Sequence, residues 1–413
     1  GSGSSFTTTV DIANFQLNTL TLGGGTGNPP VTLTITTAAG TGGPLQFTAG
    51  TGTLNLTANT GGWGGVLSYQ VDVPVQFLGD FTISGNGNAP STFSNVTLPT
   101  GATTIATTGS ARAVFATSPT LTNNLSFAGA GTGGIRITGT TTLANAVTID
   151  VTGSSTPQLA QLAGSSKLTK TGGGRLEFYA TSMPGYSSET AIQGGMVALV
   201  FSGGGPFAFD LGSGKVTLNG GGIDFDFLGN SWGATGTLSN AIDVGSSGGA
   251  IDLGPPASGQ RRLAVTFSGP VQLGGKLTIT GDSYANTLVN PPTFSNTVTL
   301  TTSAEIANNT SNAPQTVWLT TLAGSTQTLT LSSTTGAGFA FGNPAASALN
   351  VKRIVANTNL TLSNTSVSPA YDPLDQLVAN GGGLTMGPGT TLTLTGSGSK
   401  VHRFRPSNVT WQG

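Results

Sequence analysis

Apolar and polar residues alternate with a period of two in short runs along this 413-residue chain. Clear examples are residues 31–36, 52–57, 134–138 and 391–395, with glycine, asparagine or proline close to each. Period-two alternation between turn residues is typical of β-strands. Threonine suits the solvent side of a strand because its branched Cβ fits the pleat. We therefore predict short β-strands and tight turns over the whole length.

A seven-residue pattern recurs in the chain: apolar, any, Asn, any, apolar, any, apolar. It occurs at 121–127, 143–149, 238–244 and 294–300, and a version with glycine in place of asparagine occurs at 267–273. Neighbouring copies are 22, 29 and 27 residues apart, counted between positions 123 and 145, 240 and 269, and 269 and 296. Intervals of about 20–30 residues fit one coil of a β-solenoid. Their unevenness predicts loops of variable length on one side of the coils.

The recurring asparagine has two interpretations. Asparagine tolerates left-handed backbone at a corner, and stacked asparagine side chains form hydrogen bonds from coil to coil. Alternatively, it only marks ordinary turns. The sequence leaves both interpretations open.

Composition favours the all-β interpretation. Charged residues make up 7% of the chain, whereas about 25% is usual, and there are 65 glycines. Such a composition is also found in disordered chains. Here, however, apolar residues reach 36% and are spread in alternating bursts, while glycine and threonine disfavour long helices. The net charge of −1 argues against nucleic-acid binding. The chain has no cysteine, so neither disulfides nor thiolate metal sites are available.

One segment resembles a known repeat. Around position 170 it reads Leu-Thr-Lys-Thr-Gly-Gly-Gly-Arg-Leu-Glu-Phe, followed by a tyrosine turn, Thr-Ala-Ile and Gly-Gly-Met-Val-Ala-Leu. This is similar to the autotransporter-associated β-strand repeat, the passenger-associated repeat of secreted bacterial proteins. The matching residues are Leu168, Lys170, Gly172, Gly174, Leu176, Tyr186, Thr190, Ile192, Gly195, Val197 and Leu199.

The resemblance covers residues 168–254, and the rest of the chain is similar only in composition and rhythm. It departs from the family at the tyrosine turn, where Pro184 replaces an asparagine and Ser188-Glu189 replaces two glycines. The resemblance implies a right-handed parallel β-helix at or outside the bacterial cell surface. It also implies a scaffold rather than an active site, because the repeat is known as a structural unit.

Enzyme motifs are weak in this sequence. His402 is the single histidine, so a Ser-His-Asp site would need it. Residues 245–249 fit the spacing of a nucleophile elbow, but no helical pattern follows them. Residues 129–134 fit Gly-x-Gly-x-x-Gly without the helix and acidic residue that would make it a dinucleotide site. We predict that the protein is not an enzyme.

The best pair of carboxylates is Asp224 with Asp226. Residues two apart share one face of a strand, roughly 6.5–7 Å from each other, which is within the range that glycosidases use. The alternative, which we favour, is that both face solvent while Ile223, Phe225 and Phe227 fill the core.

A second acidic group lies in a proline-containing loop at Tyr371, Asp372 and Asp375. Calcium binding or turn capping explains this group as well as catalysis does. With one histidine and no cysteine, we predict no metal site and no cofactor.

Charge is distributed unevenly between the two ends of the chain. No lysine or arginine precedes Arg112, and no acidic residue follows Asp375. We expect opposite charges to set the polarity of head-to-tail or side-to-side assembly; the alternative is a polar tip that keeps a monomer soluble. The candidate assembly residues are Asp11, Asp72, Asp80, Lys400, Arg403 and Arg405.

Together these observations predict an all-β protein, a right-handed parallel β-helix with irregular loops and room for an added β-rich terminal region. We divide it into an N-terminal segment for assembly or capping (1–110), a solenoid (111–345) and C-terminal coils with a basic tip (346–413). The expected function is an extracellular structural subunit of a filament, sheath or surface layer, with copies of itself, matrix or glycan as partners. The alternatives are an adhesin or carbohydrate-binding passenger, whose tryptophans would need to align, and a β-helical polysaccharide-degrading enzyme.

Overall fold

The protein is a β-solenoid of about 12 turns, built almost entirely of parallel β-strands with one short helix. This confirms the predicted fold class. The computed structural model describes residues 6–10, 12, 15–23, 32–37, 43–50, 52–57, 68–87, 91–201, 206–227, 234–254, 263–281, 291–311, 315–342, 349–364, 372–396 and 409–412.

The chain divides into two compact units, Gly1–Ala198 and Leu199–Gly413. The threefold division drawn from the sequence stays a prediction. The strands of the first unit are β1 Phe6–Val10, β2 Gln16–Leu17, β3 Thr19–Leu22, β4 Thr32–Thr37, β5 Leu45–Phe47, β6 Gly52–Leu56, β7 Ser68–Val71, β8 Val75–Phe77, β9 Phe81–Ser84, β10 Ser91–Phe93, β11 Val96–Thr97, β12 Thr103–Thr107, β13 Arg112–Phe115, β14 Thr120–Leu121, β15 Leu125–Ala128, β16 Gly134–Leu143, β17 Val147–Val151, β18 Gln158–Ala163, β19 Leu168–Thr171, β20 Arg175–Phe178 and β21 Thr190–Ile192, and the division falls within β22 Gly195–Phe201.

Strands of the first unit follow one another around a coil and pair with the equivalent strands of the next coil. Strand β1 pairs with β4, β2 with β5, and β3 with β6, all in parallel. The register continues in later coils, where Ser91 pairs with Ala113 and Arg112 with Gly134, each 22 residues further on. Leu121 pairs with Leu143, so the recurring asparagine pattern marks the same position in successive coils.

The second unit is built in the same way. Its elements are β23 Phe207–Phe209, β24 Val216–Leu218, β25 Gly221–Phe227, β26 Ala234–Leu238, β27 Ile242–Val244, β28 Gly249–Asp252, β29 Leu263–Phe267, β30 Val271–Leu273, β31 Leu277–Thr280, β32 Thr293–Leu300, β33 Ala304–Asn308, β34 Val317–Ser332, β35 Phe339–Phe341, β36 Leu349–Ala356, β37 Leu360–Asn364, α1 Pro373–Ala379, β38 Gly383–Met386, β39 Leu392–Gly396 and β40 Val409–Trp411. Ile242 pairs with Val271 and Val271 with Val298, which confirms the intervals of 29 and 27 residues.

Each coil buries one face of its strands. In β6 and β9 the buried positions, which are apolar or glycine, alternate with half-buried polar ones, whereas β12 buries Thr103, Ile105 and Thr107. Successive apolar residues stack from coil to coil, as Leu54 does on Ile83. Phenylalanine rings fill the widest parts of the interior, with Phe267 stacked on Phe294 at 4.7 Å between centroids. Such stacks stabilise the coils through area burial and ring contact.

The recurring asparagines bond to the preceding coil. Asn145 donates to the carbonyl of Thr122 at 3.0 Å, and Asn296 donates to that of Ser268 at 2.9 Å. Asn240 donates to two carbonyls one coil back, and Asn123 donates to the carbonyl of Thr100. Hydrogen bonding from coil to coil is therefore confirmed, but the stacking of asparagine on asparagine is not. The acceptor is the backbone of the preceding coil, however, and not another asparagine.

Candidate functional site

The repeat-like segment places a lysine inside the coil. Lys170 lies on β19, and its register partners in the coils before and after are Ile149 and Ile192. It is fully buried, as are both isoleucines. A charged side chain in an apolar column is costly unless its charge is satisfied by hydrogen bonds.

Backbone carbonyls satisfy the buried ammonium group. Lys170 Nζ donates to the carbonyl oxygens of Thr171 at 2.6 Å, Gly172 at 2.9 Å and Gly194 at 3.1 Å. Burial lowers the pKa of Lys170 to about 8, against the opposing effect of the Asp150 carboxylate. The lysine thus joins two corners of successive coils. It is a structural residue, because it is closed off from solvent.

The glycines of the motif allow these corners to approach. Gly172 has φ +73°, and a Cβ there would lie 2.3 Å from the carbonyl oxygen of Val151. Gly195 has φ +60°, and its Cβ would lie 2.1 Å from the carbonyl oxygen of Gly174. Only glycine fits at such contacts and dihedrals. The positions of Gly172 and Gly195 in the motif therefore have a steric cause.

Tyr186 closes the adjoining corner. Its hydroxyl donates to the carbonyl of Glu189 at 2.6 Å and accepts from the backbone N–H of Leu168 at 3.0 Å. Burial raises the pKa of Tyr186. Lys167 pairs with the Glu189 carboxylate at 3.2 Å. The remaining predicted repeat residues line the interior or sit against it: Leu176, Thr190, Ile192, Val197 and Leu199 are all buried.

Two of the predicted assembly residues, Asp72 and Asp80, accept hydrogen bonds on the side of the coils. Asp72 accepts hydrogen bonds from Gln70 and Ser94, both at 2.7 Å, and these bonds hold the pKa of Asp72 below its usual value. Asp80 accepts from the backbone N–H of Thr104 at 2.6 Å. Both carboxylates thus bond to the following coil and lie after β7, away from the first coil. Asp11, Lys400, Arg403 and Arg405, as well as His402, lie outside the described residues.

The acid pair of β25 differs from expectation. Ile223 and Phe225 fill the core as predicted, but Asp224 is itself buried, with 5% exposure, while Asp226 is half-buried. Asp224 is in register with Asp252 of the next coil. The prediction of a solvent-facing pair is therefore wrong for Asp224, because the outer side of this strand is covered. Among the described residues, no group of three or more acidic or histidine side chains suits a metal ion.

The second acidic group caps a helix. Asp372 is buried, and its side chain accepts from the backbone N–H of Leu374 at 3.1 Å at the start of α1. Asp375 lies in the first turn of this helix, and Tyr371 lies outside the described residues. The capping interpretation is confirmed. The loop prediction is wrong, because an N-cap aspartate followed by proline is a helix-start signal. The segment 245–249 is a turn that leads into strand β28, without a following helix.

The last described strands carry apolar side chains into solvent. Leu394 continues the interior column of Leu362, and Trp411 continues that of Met386. Leu362 and Met386 are buried, whereas Leu394 is 39% exposed and Trp411 55% exposed. Among the described residues, β39 pairs only with β37 and β40 only with β38. We call Leu394 and Trp411, with strands β39 and β40, the trailing edge.

The first coil also exposes apolar side chains to solvent. Ile12 is 55% exposed and Phe15 43% exposed. Strands β1, β2 and β3 pair only with the coil that follows, within the part of the chain that is described. We call Ile12, Phe15 and these three strands the leading edge. These two edges are the candidate functional site.

Comparisons of this chain with protein families, with curated proteins and with solved structures give no match. The case for a function therefore depends on geometry. Within the described residues, no helix is long and apolar enough to span a membrane. Sequence reasoning missed Leu394, which has the pattern of an ordinary interior position, and it considered Trp411 only as one of the tryptophans that an adhesin would need to align.

Proposed function

We propose that this chain is an extracellular structural subunit whose copies stack end to end into a filament, sheath or surface layer. The observation that carries the proposal is the exposure of Leu394 and Trp411 at the ends of interior columns. In the two coils before them the register partners are buried: Phe341 and Leu362 in one column, and Ala356 and Met386 in the other. The trailing edge is thus a coil surface that lacks its neighbour among the described residues.

The leading edge of a second copy is the matching occupant. Every described coil contact is parallel, so one coil's trailing side always meets the next coil's leading side. A contact between copies that repeats this arrangement is heterologous, and it extends into an open filament unless it closes as a ring. Unpaired strand edges are ready templates for such pairing. Burial of each exposed apolar side chain would contribute about 1.5–3 kcal/mol.

Other features support a structural role outside the cell. The segment 168–254 resembles a repeat of secreted bacterial proteins. Its Lys170 and Tyr186 form hydrogen bonds to the backbone inside the coils. The best carboxylate pair has one buried member, Asp224, so this pair does not favour hydrolysis. In this proposal the chain is not an enzyme, and apolar contacts rather than Asp72 and Asp80 drive the stacking.

The test compares Leu394→Lys and Trp411→Ser with Leu78→Lys by negative-stain microscopy and light scattering. Leu78 is an equally exposed leucine, at 42%, but it follows β8 on the side of the stack. We expect filaments for the wild type and for Leu78→Lys, and shortened filaments or monomers for the two edge variants. A wild type that stays monomeric at low and high salt would overturn the proposal. So would edge variants that assemble like the wild type.

A further inference from the structure

Basic side chains gather on one outer face of the first unit. The face comprises Arg112 of β13, Arg136 of β16, Gln158 of β18, Arg175 and Glu177 of β20, and Tyr179. We call it the arginine face. The whole chain has only 14 lysines and arginines, so three of them within four successive coils stand out from a nearly uncharged surface.

We propose that the arginine face binds an acidic polysaccharide through its carboxylate or sulfate groups, and that Arg136 is the main contact. This binding site is independent of end-to-end stacking, because it lies on the side of the coils.

Arg136 is held ready for an oxyanion. Its guanidinium lies over the ring of Tyr179 at 4.7 Å from the centroid, and the residue is exposed. Stacking uses the flat face of the guanidinium and leaves its N–H donors at the edge, where they match a carboxylate or sulfate. Among the described residues Arg136 forms no ion pair, so these donors are available to a ligand.

The acid on this face, two strands beyond Arg136, is already neutralised. Glu177 pairs with Arg175 at 3.1 Å and accepts from Gln158 Nε2 at 2.7 Å. The same Gln158 amide donates to the Tyr179 hydroxyl at 2.9 Å, which fixes the ring beneath Arg136. Glu177 therefore does not compete for Arg136. The face keeps a positive balance from Arg112 and Arg136.

Gln158 carries a further sign of a ligand. It is buried, with 2% exposure, and its Oε1 has no hydrogen-bond partner among the described residues. Buried acceptors are normally satisfied, and an unsatisfied one requires an explanation. Gln158 is the register partner of Arg136 on the next strand. Movement of Arg136 toward an oxyanion would open this acceptor to a sugar hydroxyl.

The neutral groups favour a polysaccharide over other polyanions. Tyr179 and Thr156, which accepts from Arg112 at 2.9 Å, add hydroxyl groups to the face, and hydroxyl groups suit the hydroxyls of a sugar. The net charge of the chain is −1, which gives no long-range attraction for a dense polyanion such as DNA. Arg112 and Arg136, which form no ion pair among the described residues, suit a polymer whose charges are widely spaced.

The test measures binding of the full chain to polygalacturonate, to dextran sulfate and to neutral dextran by biolayer interferometry. We expect binding to one or both acidic polymers and none to dextran, and the two acidic arms distinguish carboxylate from sulfate recognition. Arg136→Gln should weaken this binding by about tenfold, as for the loss of one charge-assisted contact. Arg136→Lys should bind with an affinity between those of the wild type and Arg136→Gln, because lysine keeps the charge but loses the planar, two-donor geometry of the guanidinium.

The matched control is Arg353→Gln, which removes an exposed arginine of β36 in the second unit. It should bind like the wild type, and thermal unfolding of both variants should match that of the wild type, since both residues are exposed. The proposal is overturned if neither acidic polymer binds, if Arg136→Gln binds as tightly as the wild type, or if Arg353→Gln weakens binding equally. Equal binding of double-stranded DNA would also overturn it, because the face would then be a general polyanion surface.

Discussion

Lys170 Nζ and the carbonyl oxygen of Gly194 lie 3.1 Å apart and join two coils that are 24 residues apart along the chain. The bond is made inside a column of isoleucines, where an ammonium group has no water. Three carbonyl oxygens compensate for that loss only in part, because burial still lowers the pKa of Lys170 to about 8.

This lowered pKa predicts a pH-dependent stability. Between pH 8 and the ordinary lysine pKa of about 10.4, the unfolded chain binds a proton that the folded chain has released, so stability rises with pH across this window. Below pH 8 the contribution is constant, because Lys170 is protonated in both states. We expect the thermal midpoint of the wild type to rise between pH 8 and 10 relative to that of Lys170→Met.

Lys352→Met is the control for this comparison, because it removes an exposed lysine of β36. Its curve of midpoint against pH should follow the wild type. Parallel curves for the wild type and Lys170→Met would contradict the assigned role of Lys170.

The hydroxyl of Tyr186 predicts a second effect on stability. Tyr186→Phe removes the hydroxyl but leaves the N–H of Leu168 bonded to the carbonyl of Glu189 at 3.1 Å, so it should cost only about 0.5–1.5 kcal/mol. Tyr69 offers an opposite control, since its buried hydroxyl has no hydrogen-bond partner among the described residues. Tyr69→Phe should therefore leave stability unchanged or raise it. Urea unfolding monitored by circular dichroism measures the free energy of unfolding of both variants. Equal losses of stability would contradict the predicted difference between Tyr186 and Tyr69.

The recurring asparagines should differ in their contribution. Asn240 accepts from the N–H of Leu211 at 2.9 Å and donates to the carbonyls of Gly212 and Gly214 at 2.8 and 2.7 Å, all in a buried position. Asn296 is exposed. Asn240→Ala should cost about 3 kcal/mol and Asn296→Ala less than about 1 kcal/mol. Unfolding midpoints in urea check this, and similar losses would show that burial does not decide how much these asparagine bonds contribute.

Much of the fold could be predicted because each coil repeats the same local rules. The asparagine pattern predicted the register itself, as the pairings of Leu121 with Leu143 and Val271 with Val298 show. The acceptors of the asparagine bonds could not be predicted, because a backbone carbonyl of the preceding coil leaves no trace in the sequence.

The candidate site was harder to predict for a physical reason. Alternation places Leu394 on the inner side of a strand, and that is where its register with Leu362 puts it. Its exposure depends on the absence of a following described coil, which alternation within one strand does not encode. The burial of Asp224 is similar, since a strand pattern does not show which outer surfaces are covered. The helix at Asp372 and Pro373 was readable from its cap and proline.

The last prediction concerns the corner at Gly172. This residue has φ +73°, where a side chain is strained, and a Cβ would lie 2.3 Å from the carbonyl oxygen of Val151. Gly172→Ala must therefore move the backbone of one coil away from the other and weaken the contacts of Lys170 there. We expect a loss of about 2–4 kcal/mol. The neighbouring Gly173 is the control, because a Cβ there meets nothing within 4 Å. Gly173→Ala should shift the thermal midpoint little, and equal shifts for the two variants would show that the close approach at Gly172 does not limit the fold.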